Sequence, residues 1–165
     1  MPRDVPITDR SLAEPDRPVP TEGAFRIRVR YAECDPMGVA HHGSYAHWLE
    51  IARTELLREA GASYAAMEAA GVFLVITRME LKYRRPLRYD DVVEVRVVAE
   101  PKGVLRIRHA YEVVLLERGG QQAVRDGKIV PADGVCAVAE TELACVDGAG
   151  KPRSLPAWLS GRDRA

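Results

Sequence analysis

The feature that most constrains this chain is the stretch Tyr31–Gly61, YAECDPMGVAHHGSYAHWLEIARTELLREAG, where a carboxylate, a glycine turn and a long amphipathic helix follow without a spacer. Just upstream, Phe25, Ile27, Val29 and Tyr31 alternate with Arg26, Arg28 and Arg30, the period of a strand with its apolar row turned inward. Pro36 fixes its own φ and Gly38 tolerates a positive one, so Glu33–Gly38 must leave the extended state and Asp35 sits on a bend. His41 to Ser44 then lead into a helix expected over Ser44–Ala60. Its first amides lack intrahelical acceptors and form a partial positive charge suited to an oxyanion.

That helix carries Tyr45, Trp48, Leu49, Ala52 and Leu56 on one face, and Ala46, Ile51, Leu57 and Ala60 widen the apolar arc to about 240°. A narrow polar stripe remains at His47, Glu50, Thr54 and Arg58, with Glu55 and Glu59 interrupting the arc. So wide an arc calls for enclosure, and a curved sheet is the most economical one. Strand periodicity supplies it: Phe73–Arg84, Val93–Val97, Leu105–Glu117 and Cys136–Asp147 read as strands, with Lys102–Gly103 as a tight turn. Ser63 caps a short helix ending near Gly71, and Arg118–Gly134 reads as a long loop. One helix followed by strands on short turns is not the alternating pattern of a parallel sheet; it predicts an α+β fold with an antiparallel sheet wrapped on one helix.

Residues 1–23 hold five prolines and no apolar period, which predicts a flexible tail before a domain over 24–148. Residues 149–165 read as a second tail, in which Leu155, Trp158 and Leu159 pack back on the body. A formal net charge of zero argues against nucleic acid or an acidic membrane surface as a partner through bulk charge. No apolar run reaches membrane-spanning length, and three cysteines without metal-ligand spacing, Cys34, Cys136 and Cys145, point to reduced thiols in a cytoplasmic protein.

The string Tyr31-x-Glu33-Cys34-Asp35-x-x-Gly38-Val39-x-x-His42-x-x-Tyr45, running into Trp48-Leu49-Glu50-x-x-Arg53, together with Tyr83-x-x-Pro86-x-x-Tyr89-Asp90-Asp91, resembles the 4-hydroxybenzoyl-CoA thioesterase type of acyl-CoA thioesterases, including the YbgC-like branch. The resemblance covers about Phe25 to Pro156. It implies a hotdog fold, a five-stranded antiparallel sheet around one central helix, and side-by-side pairing of protomers into a dimer or tetramer. It implies an acyl-CoA substrate and no metal or other cofactor. The loop at 118–134 is longer than the family usually carries, and Glu33 stands where an aspartate is common.

Thioester hydrolysis needs a nucleophile, or a base for water, and a donor for the charge that builds on the carbonyl oxygen. Asp35 is the candidate for the first role, by direct attack or by activating water, and both routes stay open. The resemblance gives the second role to the His42 backbone N–H and places Gly38, Val39 and Tyr45 against the substrate. Lys82, Arg84, Arg85, Arg88, Lys102 and Arg106 are the candidates for coenzyme A phosphates, with Arg88, in the turn after the second strand, foremost and Lys102 and Arg106 in the next hairpin. His41, His42, His47 and Glu50 do not have metal-site spacing, and Cys34 has no partner pattern for a thiol nucleophile. Two alternatives share the scaffold: a hotdog hydratase or dehydratase, and a non-catalytic acyl-thioester or lipid-binding module.

Overall fold

The computed structural model describes residues 14–119, 121–122 and 133–160. In chain order it has β1 (Glu22–Arg28), a 3-10 turn (Tyr31–Glu33), α1 (Ser44–Glu59), α2 (Tyr64–Ala69), β2 (Phe73–Tyr83), β3 (Val92–Lys102), β4 (Arg106–Arg118), β5 (Gln121–Gln122), β6 (Val135–Val146) and α3 (Ala157–Ser160). The strands form one sheet in the order β1-β3-β4-β6-β2, every pairing antiparallel, with β5 attached to the end of β4. β3 and β4 close into a hairpin in which Lys102 faces Arg106, and Gly103 supplies the positive φ of 69° at the turn.

Alternation in the strands decides which face is covered. Val93, Val95 and Val97 of β3, Ile107, Tyr111, Val113 and Leu115 of β4, and Ala137, Ala139 and Leu143 of β6 are buried on the inner face. Against it lie Trp48, Leu49, Ala52 and Leu56 of α1, all at most 2% exposed, and each of the two leucines stabilises the fold by about 2–3 kcal/mol on burial. α1 makes its main contacts with β1 and β3. On the outer face the strands carry paired charges, Arg96 with Glu94 and Glu112, Arg108 with Glu140, and Lys102 and Arg106 with Glu142. Ser63 caps α2 by accepting from the Ala66 amide at 3.1 Å.

Three boundaries differ from the sequence reading. β1 starts at Glu22 and ends at Arg28, and Val19 is already in the core, so the folded body begins before residue 24. Tyr31 lies in the 3-10 turn, 81% exposed and edge-on to Tyr89, rather than in the inward row, because the chain leaves the sheet after the Val29 amide bonds the Asp91 carbonyl. Ile51 is exposed, whereas Arg53 is buried in its stead, its guanidinium bonded to the Tyr64 hydroxyl at 2.8 Å and to Glu50 at 3.3 Å. In the expected loop, Gln121–Gln122 form β5, and residues 120 and 123–132 lie outside the described residues, as do 1–13 of the expected N-terminal tail. Leu155 and Leu159 near the C-terminus are buried and Trp158 packs against the same core.

Candidate active site

The bend before α1 is a closed turn. The Gly38 amide donates to the Asp35 carbonyl at 2.9 Å, with Gly38 at φ 76°, and the Asp35 amide donates to the Val39 carbonyl at 2.9 Å. The Asp35 side chain accepts the Met37 amide through Oδ1 at 2.9 Å. No partner is recorded on Oδ2 among the described residues. Glu33 ties the bend to the helix: its Oε1 accepts the Trp48 indole N–H at 2.9 Å, its Oε2 the Arg30 amide at 2.7 Å, and its carbonyl the His41 amide at 2.8 Å and the Ser44 hydroxyl at 3.0 Å. From the other side, the Ala40 amide donates to Leu87 O at 2.8 Å. The Leu87 loop is in turn fixed by buried Asp91, which accepts from Arg118 at 3.0 and 2.7 Å and from the Arg88 amide at 2.8 Å.

These ties leave a cleft of about 350 Å³ lined by Asp35, Met37, Val39, Ala40, His42, Tyr45, Tyr83, Arg84, Arg85 and Pro86. At the start of α1 the Ser44 amide donates to the His41 carbonyl and the Gly43 amide to His41 Nδ1. The His42 N–H has no acceptor among the described residues. Burial pushes the Tyr45 phenol up to about 12 and raises Tyr83, so both keep their protons at neutral pH. The Cys34 thiol, which donates to the Arg30 carbonyl, is raised by burial and then by Asp35 and Glu33, which disfavours a nucleophilic thiolate. A larger hollow of about 1030 Å³ lies on the outer face of the sheet, where Glu80 pairs with Lys82 and Arg96 with Glu112. That hollow is lined by Glu22, Glu80, Glu112 and Glu140 with Lys82 and Arg96, whereas the smaller cleft holds both Asp35 and His42.

Residues 29–162 match the family described as the thioesterase-like superfamily. The Escherichia coli O6:H1 acyl-CoA thioester hydrolase YbgC is 33% identical over 132 residues, covering 79% of this chain and 87% of that protein. The chain belongs to the thioesterase-like superfamily. YneP of Bacillus subtilis is 33% identical over 87 residues, 53% of this chain and 63% of that protein. In three dimensions the chain is similar to the DHNA-CoA thioesterase of Staphylococcus aureus, with a TM-score of 0.70, 29% identity and 87% of each chain covered. The hotdog architecture, the YbgC-like resemblance and the enzyme class of thioester hydrolase are thereby borne out.

Within this thioesterase, the fold brings Asp35, Val39, His42 and Tyr45 to one cleft. Gly38 forms the turn beside it and lies outside its lining. Arg88 is exposed near the Leu87 loop and does not line the cleft, and Lys102 and Arg106 are held by Glu142 on the outer face of the sheet. The cations that do line it are Arg84, whose guanidinium has no partner among the described residues, and Arg85, which bonds the Val135 carbonyl and lies 3.5 Å from Asp133. Tyr83 is the wall residue that sequence reasoning passed over. Its place just before the strand-ending Arg85–Pro86 was the available signal, because a strand end beside a helix start is where a cleft forms.

Proposed function

We propose that this protein hydrolyses an acyl thioester of coenzyme A to the free acid and the free thiol. Asp35 attacks the acyl carbon or takes a proton from the attacking water, and the His42 N–H holds the carbonyl oxygen as it gains charge. The carbonyl then re-forms as the carbon–sulfur bond breaks, and the thiolate takes up a proton that comes from the attacking water; where Asp35 attacks directly, the mixed anhydride is opened by that water, which gives the free acid and restores the carboxylate. The supporting observation is that Asp35 and His42, whose N–H has no acceptor among the described residues, both line one cleft. The same acyl-CoA chemistry is named in the relative YbgC. Arg84, whose guanidinium has no partner among the described residues, lines the cleft and suits a phosphate of the coenzyme, whereas Lys102 and Arg106 share the one carboxylate of Glu142 away from it.

The reading includes a second copy of the chain. β2 is an open edge of the sheet, and its Val75, Ile76, Met79 and Tyr83 are 39–50% exposed, with Ile51 of α1 exposed as well. An apolar edge strand is a template for pairing, and Tyr83 places it beside the cleft. We place the protein in the cytoplasm, where its unpaired thiols Cys34, Cys136 and Cys145 stay reduced. Purified protein, presented with aryl, short-chain and long-chain acyl-CoAs, should release free thiol from at least one. Turnover of none of them, with tight binding of any, would replace the hydrolase by a binding module.

A further inference from the structure

The segment His41–Gly43 is gripped by two side chains that thioester chemistry does not itself require. On one side, His41 Nδ1 accepts the Gly43 amide at 3.1 Å. In that bond Nδ1 is the accepting nitrogen of the ring. Glycine permits the contact, since a Cβ at Gly43 would stand 3.2 Å from that nitrogen and 3.4 Å from the adjacent ring carbon. The His42 ring lies over the His41 ring, centroids 3.9 Å apart at 37°, and limits its rotation. On the other side, the Tyr83 hydroxyl of β2 donates to the His42 carbonyl at 2.9 Å, and its ring is set edge-on to buried Tyr45 at 5.0 Å. No backbone amide among the described residues takes that carbonyl, because the Ala46 amide turns back to the Gly43 carbonyl at 3.3 Å.

The pattern of donors is selective. Of the amides at 41, 42, 43 and 44, those of His41, Gly43 and Ser44 are each given an acceptor, and that of His42 is left over. A peptide segment with a loose carbonyl on one side and a loose amide on the other rotates freely and averages its dipoles. A donor that stabilises a developing charge must instead be fixed before the charge appears. We propose that His41 and Tyr83 are positioning residues that brace the 41–43 backbone so that the His42 N–H stays unpaired and presented to the cleft. The role rests on the hydrolase reading above, and it makes the helix start a side-chain-built device rather than a consequence of the helix alone.

Three variants test it: Tyr83→Phe, His41→Ala and His41→Asn. An asparagine oxygen reaches the amide two residues on, as in an Asx turn, and so replaces Nδ1. For acyl-CoA hydrolysis, Tyr83→Phe and His41→Ala should each lower kcat about tenfold with KM within about twofold, while His41→Asn recovers to within about threefold of the parent. Thermal melting checks that each variant is folded. Amide exchange by NMR gives a second readout that needs no turnover: the Gly43 amide should be protected in the parent and in His41→Asn and exposed in His41→Ala. An unchanged kcat in both Tyr83→Phe and His41→Ala overturns the proposal, as does a His41→Asn enzyme as slow as His41→Ala. If the parent hydrolyses no acyl-CoA, the hydrolase reading falls by itself, and equal Gly43 exchange in parent and His41→Ala then rejects the brace.

Discussion

At its N-terminal end, α1 faces an open cleft, whereas midway along the same helix Arg53 is enclosed with His109 and Tyr111 of β4 and Thr141 of β6, all at most 8% exposed. Both places hold a polar atom without a partner. In the cleft it is the His42 N–H, which water reaches and which is free to receive a charged oxygen. In the core it is His109 Nδ1, the one buried side-chain polar atom among the described residues that lacks a hydrogen bond. An unsatisfied group at a wet surface costs little and is available for chemistry, while the same vacancy in the core costs about 1–3 kcal/mol and yields none. The difference teaches where to look for each: the cleft in rates, the core in stability.

The largest expected effect is on acid stability. Burial, with the positive charge of Arg53 second, lowers His109 from 6.5 to about 4. The folded value lies below the unfolded one, so the unfolded chain binds the proton first. Stability is therefore complete above pH 6.5 and falls as pH drops toward 4, by about 3 kcal/mol from this residue. Denaturant titrations of the parent and His109→Leu across that window should show a steeper loss in the parent. Parallel curves would mean that the core histidine is not the acid-sensitive group.

Next comes the cleft. Asp35→Asn should cut thiol release by about a hundredfold or more while the melting temperature moves little, since among the described residues only the Met37 amide bonds that carboxylate. An active Asp35→Asn protein removes the proposed mechanism. A smaller effect separates the two regions directly: Tyr111→Phe breaks the bond to Thr141, 3.2 Å long and buried, and should cost about 1 kcal/mol of stability with kcat unchanged. A change in turnover there would show that the core cluster reaches the cleft. The smallest belongs to the outer face, where Arg108→Ala removes a half-exposed pair with Glu140 and should shift stability by under about 0.5 kcal/mol.

Much of this was legible in the chain because its signals are local. Pro36 and Gly38 announced the bend, Ser63 the second helix, and alternating valines the third strand, each through backbone or periodicity constraints that need no distant residue. The misses were those where a distant partner decides. Ile51 reads as part of the buried arc until the fold leaves it exposed and encloses Arg53 against Tyr64, and Tyr31 reads as inward until the chain leaves the sheet at Asp91. For Lys102 and Arg106, the phosphate candidates of the hairpin, the fold adds a shared partner on β6, Glu142, that the local sequence does not announce. Glu33 passed for a substituted site residue, whereas its carboxylate joins the Trp48 indole to the Arg30 amide.

The amino-acid sequence by itself determined the elements, the antiparallel character of the sheet and the family, because periodicity, turn chemistry and a run of spaced motif residues are all written along one strand of chain. Only the tertiary structure decided which polar groups find partners. It spent the Gly43 amide on His41 and the His42 carbonyl on Tyr83 from another strand, and it left the His42 N–H open. Hydrogen bonds act over about 3 Å, so their pairing depends on which residues meet in space and not on their separation in sequence.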